Sequence, residues 1–327
     1  MYKFDIAELS RNDYHQWDTL VDYSRHGTIF HKTGWLDACA RALGKKVKIF
    51  GCFQDGQLIG GCSLFLEKIY GILTVANSTC CIMTPYGGVV LSASPSTSVH
   101  RQETYSREII ESLIKEFEKE QFYSISIQNS PQFLDIRPFT LNGWRSSVFY
   151  AYYINLDNYF ESNYDSSAKR NIRKAEKNRI IFEPFSDISR YYTLFCETYT
   201  RKNLEPPVPE RLFTDIYSFI RNQNCGKMVV AKTTDDEIAC AEIVIWDSKQ
   251  AFSLSAVSDS RFLNSGASSF LMNEELKMLR NQGIPMINIM MANVPQLSSF
   301  ASSFNPSLLP YYQVQSRKAR HLLNFEI

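Results

Sequence analysis

The 327-residue sequence contains no Cys-x-x-Cys pair, no histidine pair at the spacing of a helical zinc site, and no uncharged apolar run of about 18 residues. The first two absences argue against a structural metal. The eight cysteines (39, 52, 62, 80, 81, 196, 225, 240) are then expected to be free, buried thiols in a reducing compartment. The third absence excludes a membrane span. At the start, Met1–Glu8 mixes charged and apolar side chains without the apolar stretch of a signal peptide, so a cytoplasmic protein is expected. An excess of one charge is missing as well: 35 basic side chains stand against 34 acidic ones, for a net charge of +1. Steering of the whole chain onto DNA or a membrane is excluded, although local patches are not. The five histidines (15, 26, 31, 100, 321) are scattered.

What is present suffices for two cores. The length suits two domains of about 150 residues each. With 44% apolar and 21% charged residues, the composition is globular rather than disordered. The 4 Trp, 18 Tyr and 22 Phe would serve a broad, wet cleft as readily as a core.

The chain states one pattern twice. Val47–Phe53 and Leu58–Phe65 flank Gln54-Asp55-Gly56-Gln57, and Asp-Gly between apolar runs is a hairpin signal because glycine takes positive φ freely. Met228–Lys232 and Ile238–Ile245 repeat it around Thr233–Glu237. Each hairpin leads to a third β-rich stretch, Gly71–Ala76 and Ala251–Val257. A helix follows each time: roughly 103–120, with Ile109, Ile110, Leu113, Ile114 and Phe117 on one face, and roughly 267–281, with Met272, Leu276 and Leu279. Gly283 stops the second helix and Pro285 prevents its resumption. Short strands close both copies, Tyr123–Ile127 and Met286–Met290. The reading is an α+β fold of two similar domains, 1–155 and 156–327, each a mixed, mostly antiparallel sheet flanked by helices. The join falls where 157–164 loses periodicity, and Pro206-Pro207-Val208-Pro209 reads as a loop between helices.

One segment carries concentrated charge. From 169 to 179, six of eleven residues are basic and only Glu176 is acidic. Ser166 or Ser167 can cap a helix over 166–179. On it Lys169, Arg173 and Lys177 stack at i, i+4, i+8 beside Arg170 and Lys174, with Ala168, Ile172 and Ala175 as a narrow apolar seam. Like charges at i, i+4 destabilise a helix by about 0.2–0.5 kcal/mol per pair, an expense that a phosphate-bearing ligand would offset. A solvated helix face is the other reading.

The run Ser166–Lys177, read as Ser-x-x-x-Arg-x-Ile-Arg-Lys-Ala-Glu-Lys, resembles the Fem-type aminoacyl and peptidyl transferases, which are built from two GNAT (N-acyltransferase) domains in tandem. Phe30-His31-Lys32-Thr33-Gly34-Trp35-Leu36 looks like the family's early Ser/Thr-x-Trp segment, and Thr84-Pro85-Tyr86-Gly87-Gly88 like its Pro-Tyr-Gly-Gly loop. Glu197–Arg201 resembles its Thr-x-x-Arg segment, and Met291-Ala292-Asn293-Val294-Pro295 with Phe300, Phe304, Pro310, Tyr311 and Tyr312 its closing stretch. The resemblance implies a tandem GNAT fold and acyl or aminoacyl transfer to an amine of a cell-envelope precursor. It implies substrate or phosphate contacts from Lys32, Trp35, Gly87, Arg170, Arg173, Lys174, Arg201 and Asn293. Two departures stand out. Many relatives have an aspartate where the catalytic position here is Asn288, whose amide cannot accept a proton. Where the family commonly reads Phe-Lys-x-x-Phe, Ala301 replaces the lysine. A long helical arm found in some members has no room here.

For a coenzyme, Arg261-Phe262-Leu263-Asn264-Ser265-Gly266-Ala267 is the nearest text to a pyrophosphate loop, with Arg261, Asn264 and Gly266 as cofactor-binding candidates. An ordinary helix start is the other reading. Ser92–Gln102 of the first copy has no glycine, so that copy is expected to bind no coenzyme. Asp259, ending the strand Ala251–Val257, is a candidate base, and Tyr86 a candidate hydrogen-bond donor to substrate.

The expectations are thus an acyltransferase with no tightly bound cofactor, using acyl-CoA or aminoacyl-tRNA as donor. Its partners would be a phosphorylated small-molecule or lipid-linked precursor, with tRNA besides. The acceptor would be a peptidoglycan peptide or an amino sugar. A conventional acyl-CoA N-acetyltransferase and a non-catalytic anion-binding module are the alternatives.

Overall fold

The computed structural model describes residues 4–316. Residues 1–3 and 317–327, with His321, lie outside the described residues. The chain forms two compact units, one taking the chain up to Phe149 and again from Pro310, the other Tyr150–Leu309.

The first unit contains β1 (Asp5–Glu8), α1 (Tyr14–Tyr23), α2 (Thr33–Leu43), β2 (Lys46–Gln54), β3 (Gln57–Ile69), β4 (Leu73–Asn77), β5 (Val89–Leu91), α3 (Val99–Lys119), β6 (Ser124–Gln128), α4 (Arg137–Leu141) and the start of β7 (Arg145–Asn155). Strands β1 to β4 pair antiparallel in sequence order, and β6 pairs parallel with β4 through Val75↔Ser124 to Asn77↔Ser126. The β2–β3 turn sits on Asp55 at φ 50° and Gly56 at φ 77°, the left-handed geometry that Asp-Gly is suited to. The apolar stripe of α3 (Ile109, Ile110, Leu113, Ile114, Phe117) is buried against Phe50, Cys62, Leu64, Ile125 and Ile127. Each such side chain contributes roughly 1.5–3 kcal/mol by burial.

The second unit continues through β7 with α5 (Ser166–Lys177), β8 (Ile181–Phe185), α6 (Ile188–Thr200), α7 (Glu210–Gln223), β9 (Gly226–Lys232), β10 (Ile238–Trp246), β11 (Ala251–Ser258), α8 (Ala267–Asn281), β12 (Met286–Met290), α9 (Pro295–Ser302) and the start of β13 (Ser307–Gln315). Strands β8 to β11 are antiparallel neighbours, and β12 pairs parallel with β11. Residues 152–155 of β7 flank β12 on its other side. Hairpin, third strand, helix and a strand parallel to the third recur in both units, which is the expected α+β fold.

The last described strand departs from the sequence reading. Gln313, Val314 and Gln315 pair antiparallel with Gln128, Ile127 and Ser126 of β6, so residues from Pro310 group with the first unit rather than with 156–309. All eight cysteines are free: 39, 52, 62, 225 and 240 are buried, and 80, 81 and 196 half-buried. Among the described residues no helix is long and apolar enough to cross a membrane.

Candidate functional site

In the second unit β11 and β12 pair only through Ala251↔Ile287 and Phe252↔Asn288. Beyond Phe252, β11 runs on to Ser258 with no β12 partner among the described residues. Against β10 its register slips between Ile243↔Ser255 and Val244↔Ser253, which makes Leu254 a bulge. Polar side chains support the bulge from inside. The Tyr191 hydroxyl donates to the Ser255 carbonyl at 2.6 Å and lies 2.8 Å from its Oγ, and burial pushes this phenol's pKa up. The Ser253 hydroxyl donates to buried Glu242 of β10, which meets Glu275 of α8.

A cavity of about 760 Å³ opens where β11 ends. Its wall joins one face of α6 (Tyr192, Thr193, Cys196, Glu197, Thr200, then Arg201) to Asp259, Ser260 and Arg261. Arg201 lines it while donating to the Ser258 carbonyl at 3.1 Å. Of these residues the sequence reading singled out Arg201, Asp259 and Arg261. Of the others, all but Ser260 lie on α6 in two i, i+4 rows, 192-196-200 and 193-197, the second continued by Arg201, a spacing visible in the sequence.

Asp259 does not sit as a base would. Its carboxylate accepts from the Arg261 main chain at 2.8 Å and from the Arg261 guanidinium at 2.7–3.2 Å through both oxygens. That ion pair holds its carboxyl below the usual range. It caps the turn, and both of its oxygens are engaged by Arg261.

The 261–267 loop fits a coenzyme pyrophosphate poorly. The Arg261 and Phe262 N–H groups are taken by Asp259, Ser265 N–H by the Phe262 carbonyl, and Ala267 N–H by Ser265 Oγ. The Arg261 side chain is shared between Asp259 and Glu237. Asn264 is exposed. Gly266, at φ 86°, stands where a Cβ would overlap the Asn171 carbonyl oxygen of α5. Gly266 therefore admits the α5 backbone to the start of α8, a packing role.

Helix α5 buries Ala168, Ile172 and Ala175 and turns its cations outward. Asp165, not Ser166 or Ser167, caps it, accepting from Ser167 N–H at 2.7 Å. Lys169 and Arg173 line a cavity of about 290 Å³ with Glu161, Ser162, Tyr164, Ile172 and Glu176. Arg170, Arg173 and Lys174 are exposed and form no ion pair among the described residues.

Asn288 is fully buried; its amide donates to the Tyr153 hydroxyl at 3.0 Å and accepts from Met290 N–H at 2.8 Å. It thereby pins the end of β12, where Met290 and Met291 both take positive φ. Asn293 pairs with both main-chain polar groups of Tyr150, as a neighbouring strand would.

In the first unit, Lys32 pairs with Asp22 and donates to the Asp18 carbonyl. Trp35 is buried with its indole N–H on Thr84, and Tyr86 is 1% exposed, packed on Phe30 and Tyr311. Gly87 donates its N–H to the Gln128 carbonyl, and a Cβ there would overlap the Ser78 carbonyl. Loop 78–88 thus folds onto β6 and closes the space beyond the β4–β6 pairing. The expected substrate contacts at Trp35 and Tyr86 are core residues, because their rings supply the apolar volume under that loop.

The family model of the acetyltransferase (GNAT) domain matches residues 162–295, which include the bulge, the 760 Å³ cavity and the 261–267 loop. Among solved structures, FemX aligns with a TM-score of 0.71 at 11% identity, covering 94% of this chain and 96% of its own. The chain has the Fem-like tandem GNAT fold. The C-terminal domain of a putative lysylphosphatidylglycerol synthetase from Agrobacterium fabrum aligns at 0.59 and 13% identity, covering 93% and 92%. A tandem GNAT protein from the clavulanic acid biosynthesis pathway aligns at 0.59 and 10%, covering 97% and 99%. No curated protein matches the sequence. The second unit presents both a strand edge without a β12 partner and a cavity at its end.

Proposed function

We propose that the protein is an N-acyltransferase that moves an acyl or aminoacyl group onto an amine of a phosphorylated cell-envelope precursor, either a peptidoglycan peptide or an amino sugar on a nucleotide or lipid carrier. The observation that carries this reading is β11: bulged at Leu254, bare beyond Phe252, and ending at a cavity with Arg201 on its wall. Acyl transfer needs fixed donors at the carbonyl oxygen, an amine without its extra proton, and an acceptor held still. A strand edge outside the ladder offers main-chain N–H groups in set positions. The amine nitrogen attacks the acyl carbon, and the bond from that carbon to the donor oxygen or sulfur breaks as the tetrahedral intermediate collapses. The amine's proton goes to Glu197, the carboxylate of the cavity that no cation holds among the described residues, and from there to the departing oxygen or sulfur, which leaves as the hydroxyl or thiol.

Arg201 uses one donor on Ser258 and keeps others for a phosphate or carboxylate. The cations of α5 extend the phosphate-binding surface. Because the N–H groups of Arg261, Phe262, Ser265 and Ala267 are already bonded within the loop, aminoacyl-tRNA is the donor favoured over acyl-CoA.

The test is a mass measurement on nucleotide-linked peptidoglycan precursor incubated with the protein and either aminoacyl-tRNA or acyl-CoA. A mass gain equal to the transferred group is expected. No gain with either donor, alongside retained binding of the precursor, would leave a binding module. Arg170→Glu with Arg173→Glu should weaken precursor binding about tenfold, and unchanged affinity would remove α5 from the site.

A further inference from the structure

The turn between β3 and β4 ends the hairpin with Tyr70 at 88% and Ile72 at 79% exposure, either side of Gly71. Tyr70 lies at φ 50° and Gly71 at φ 73°. Glycine takes that conformation without cost, whereas an aromatic residue does not, and Asn or Asp would suit such a turn better. The ring is therefore held in an unfavourable backbone position and has almost no protein surface against it. Folding gives no reason for it to be there.

Below this tip lies a cavity of about 430 Å³ lined by Lys45, Lys46, Lys68, Leu66, Glu67 and Thr74, among others. Glu67 is occupied by Lys45 at 2.6 Å. Lys46 and Lys68 form no ion pair among the described residues. An apolar point thus sits above two ammonium groups without an ion pair among the described residues, Lys68 on β3 and Lys46 on the neighbouring strand β2.

We propose that the β3–β4 tip is a contact for an anionic membrane surface, with Tyr70 and Ile72 entering the headgroup–acyl boundary and Lys46 and Lys68 on lipid phosphates. Tyrosine favours that boundary because its ring is apolar and its hydroxyl stays hydrated. Anionic lipid attracts lysines held near the surface. A protein partner fits less well: a specific interface buries about 800 Å² per side, far beyond two side chains on a turn. A bilayer accepts a small wedge. With no spanning helix described, the contact is reversible and weak at high salt. The inference stands independently of acyl transfer.

The test is co-sedimentation of the full chain with vesicles of phosphatidylcholine alone, and of equal parts phosphatidylcholine and phosphatidylglycerol. The protein should sediment with the second kind and be released by salt. Tyr70→Ser with Ile72→Ser, and separately Lys46→Glu with Lys68→Glu, should each weaken this binding by about tenfold or more. Both sites are exposed, so the variants should keep the parent melting temperature. Tyr70→Asn should raise it by relieving the turn while still weakening binding. No sedimentation of the parent protein, equal binding to both vesicles, or full binding by the variants would each overturn the proposal.

Discussion

Glu242 on β10 and Glu275 on α8 meet as two fully buried carboxyl groups. Ser253 of β11 donates to Glu242, and among the described residues no cation bears on either group. Burial pushes Glu242 up to about 7 and Glu275 well above its ordinary value, so the pair keeps a proton where exposed carboxyls have lost theirs. This pair ties α8 to the sheet at the level of the β11 bulge.

Stability is expected to depend on that proton. The unfolded chain releases it near the ordinary value of 4.5 while the folded protein retains it, so the contribution is complete below pH 4.5 and fades as pH rises toward about 7. Glu275→Gln removes one ionisable group and can donate to Glu242. Its melting temperature should fall less than the parent's across this window. Thermal melts at stepped pH check it, and parallel curves would count against the shared proton.

Gly266 admits the α5 backbone to the start of α8 at φ 86°. Gly266→Ala combines a left-handed strain with an overlap on the Asn171 carbonyl, and should cost about 2 kcal/mol or more. A lowered urea midpoint with unchanged slope is the expected readout.

Two carboxylates at the 760 Å³ cavity should behave differently. Asp259→Asn keeps an N-capping oxygen but loses the ion pair with Arg261, and should cost about 1 kcal/mol of stability while transfer stays within about tenfold. Glu197→Gln should lower transfer by about a hundredfold or more with little change in melting temperature. Steady-state rates of both variants decide, and the reverse order would return the base to Asp259.

Ala301 is fully buried among Tyr164, Phe300 and Phe304, at the position where Fem-type relatives commonly carry lysine. Restoring the lysine should not restore a catalytic cation. Ala301→Lys would place an ammonium in a core and should cost about 3 kcal/mol or more. Soluble yield and melting temperature read the effect.

Much of the fold was legible beforehand. Asp55-Gly56 marked the first hairpin, the stripe of Ile109 to Phe117 marked α3, and Gly283 marked the end of α8, where its φ is 77°. The seam Ala168, Ile172, Ala175 identified the buried face of α5. Each signal acts within a few residues, through backbone sterics or the periodicity of one apolar face. That Trp35 and Tyr86 are buried is not legible in the sequence, because an aromatic in a family-like motif looks the same whether its ring is packed or solvated. The α6 rows of the cavity were visible but had no partner in the text to give them meaning.

Local order, the duplicated pattern and the charged helix follow from neighbours along the chain, whose preferences survive in almost any surroundings. Which strand edge stays bare, which aspartate is spent on an arginine and which two glutamates are buried together depend on groups distant in sequence, such as Glu242 and Glu275. Those pairings exist only once the sheet has closed and water has been excluded, because register and desolvation belong to the assembled unit rather than to any one segment.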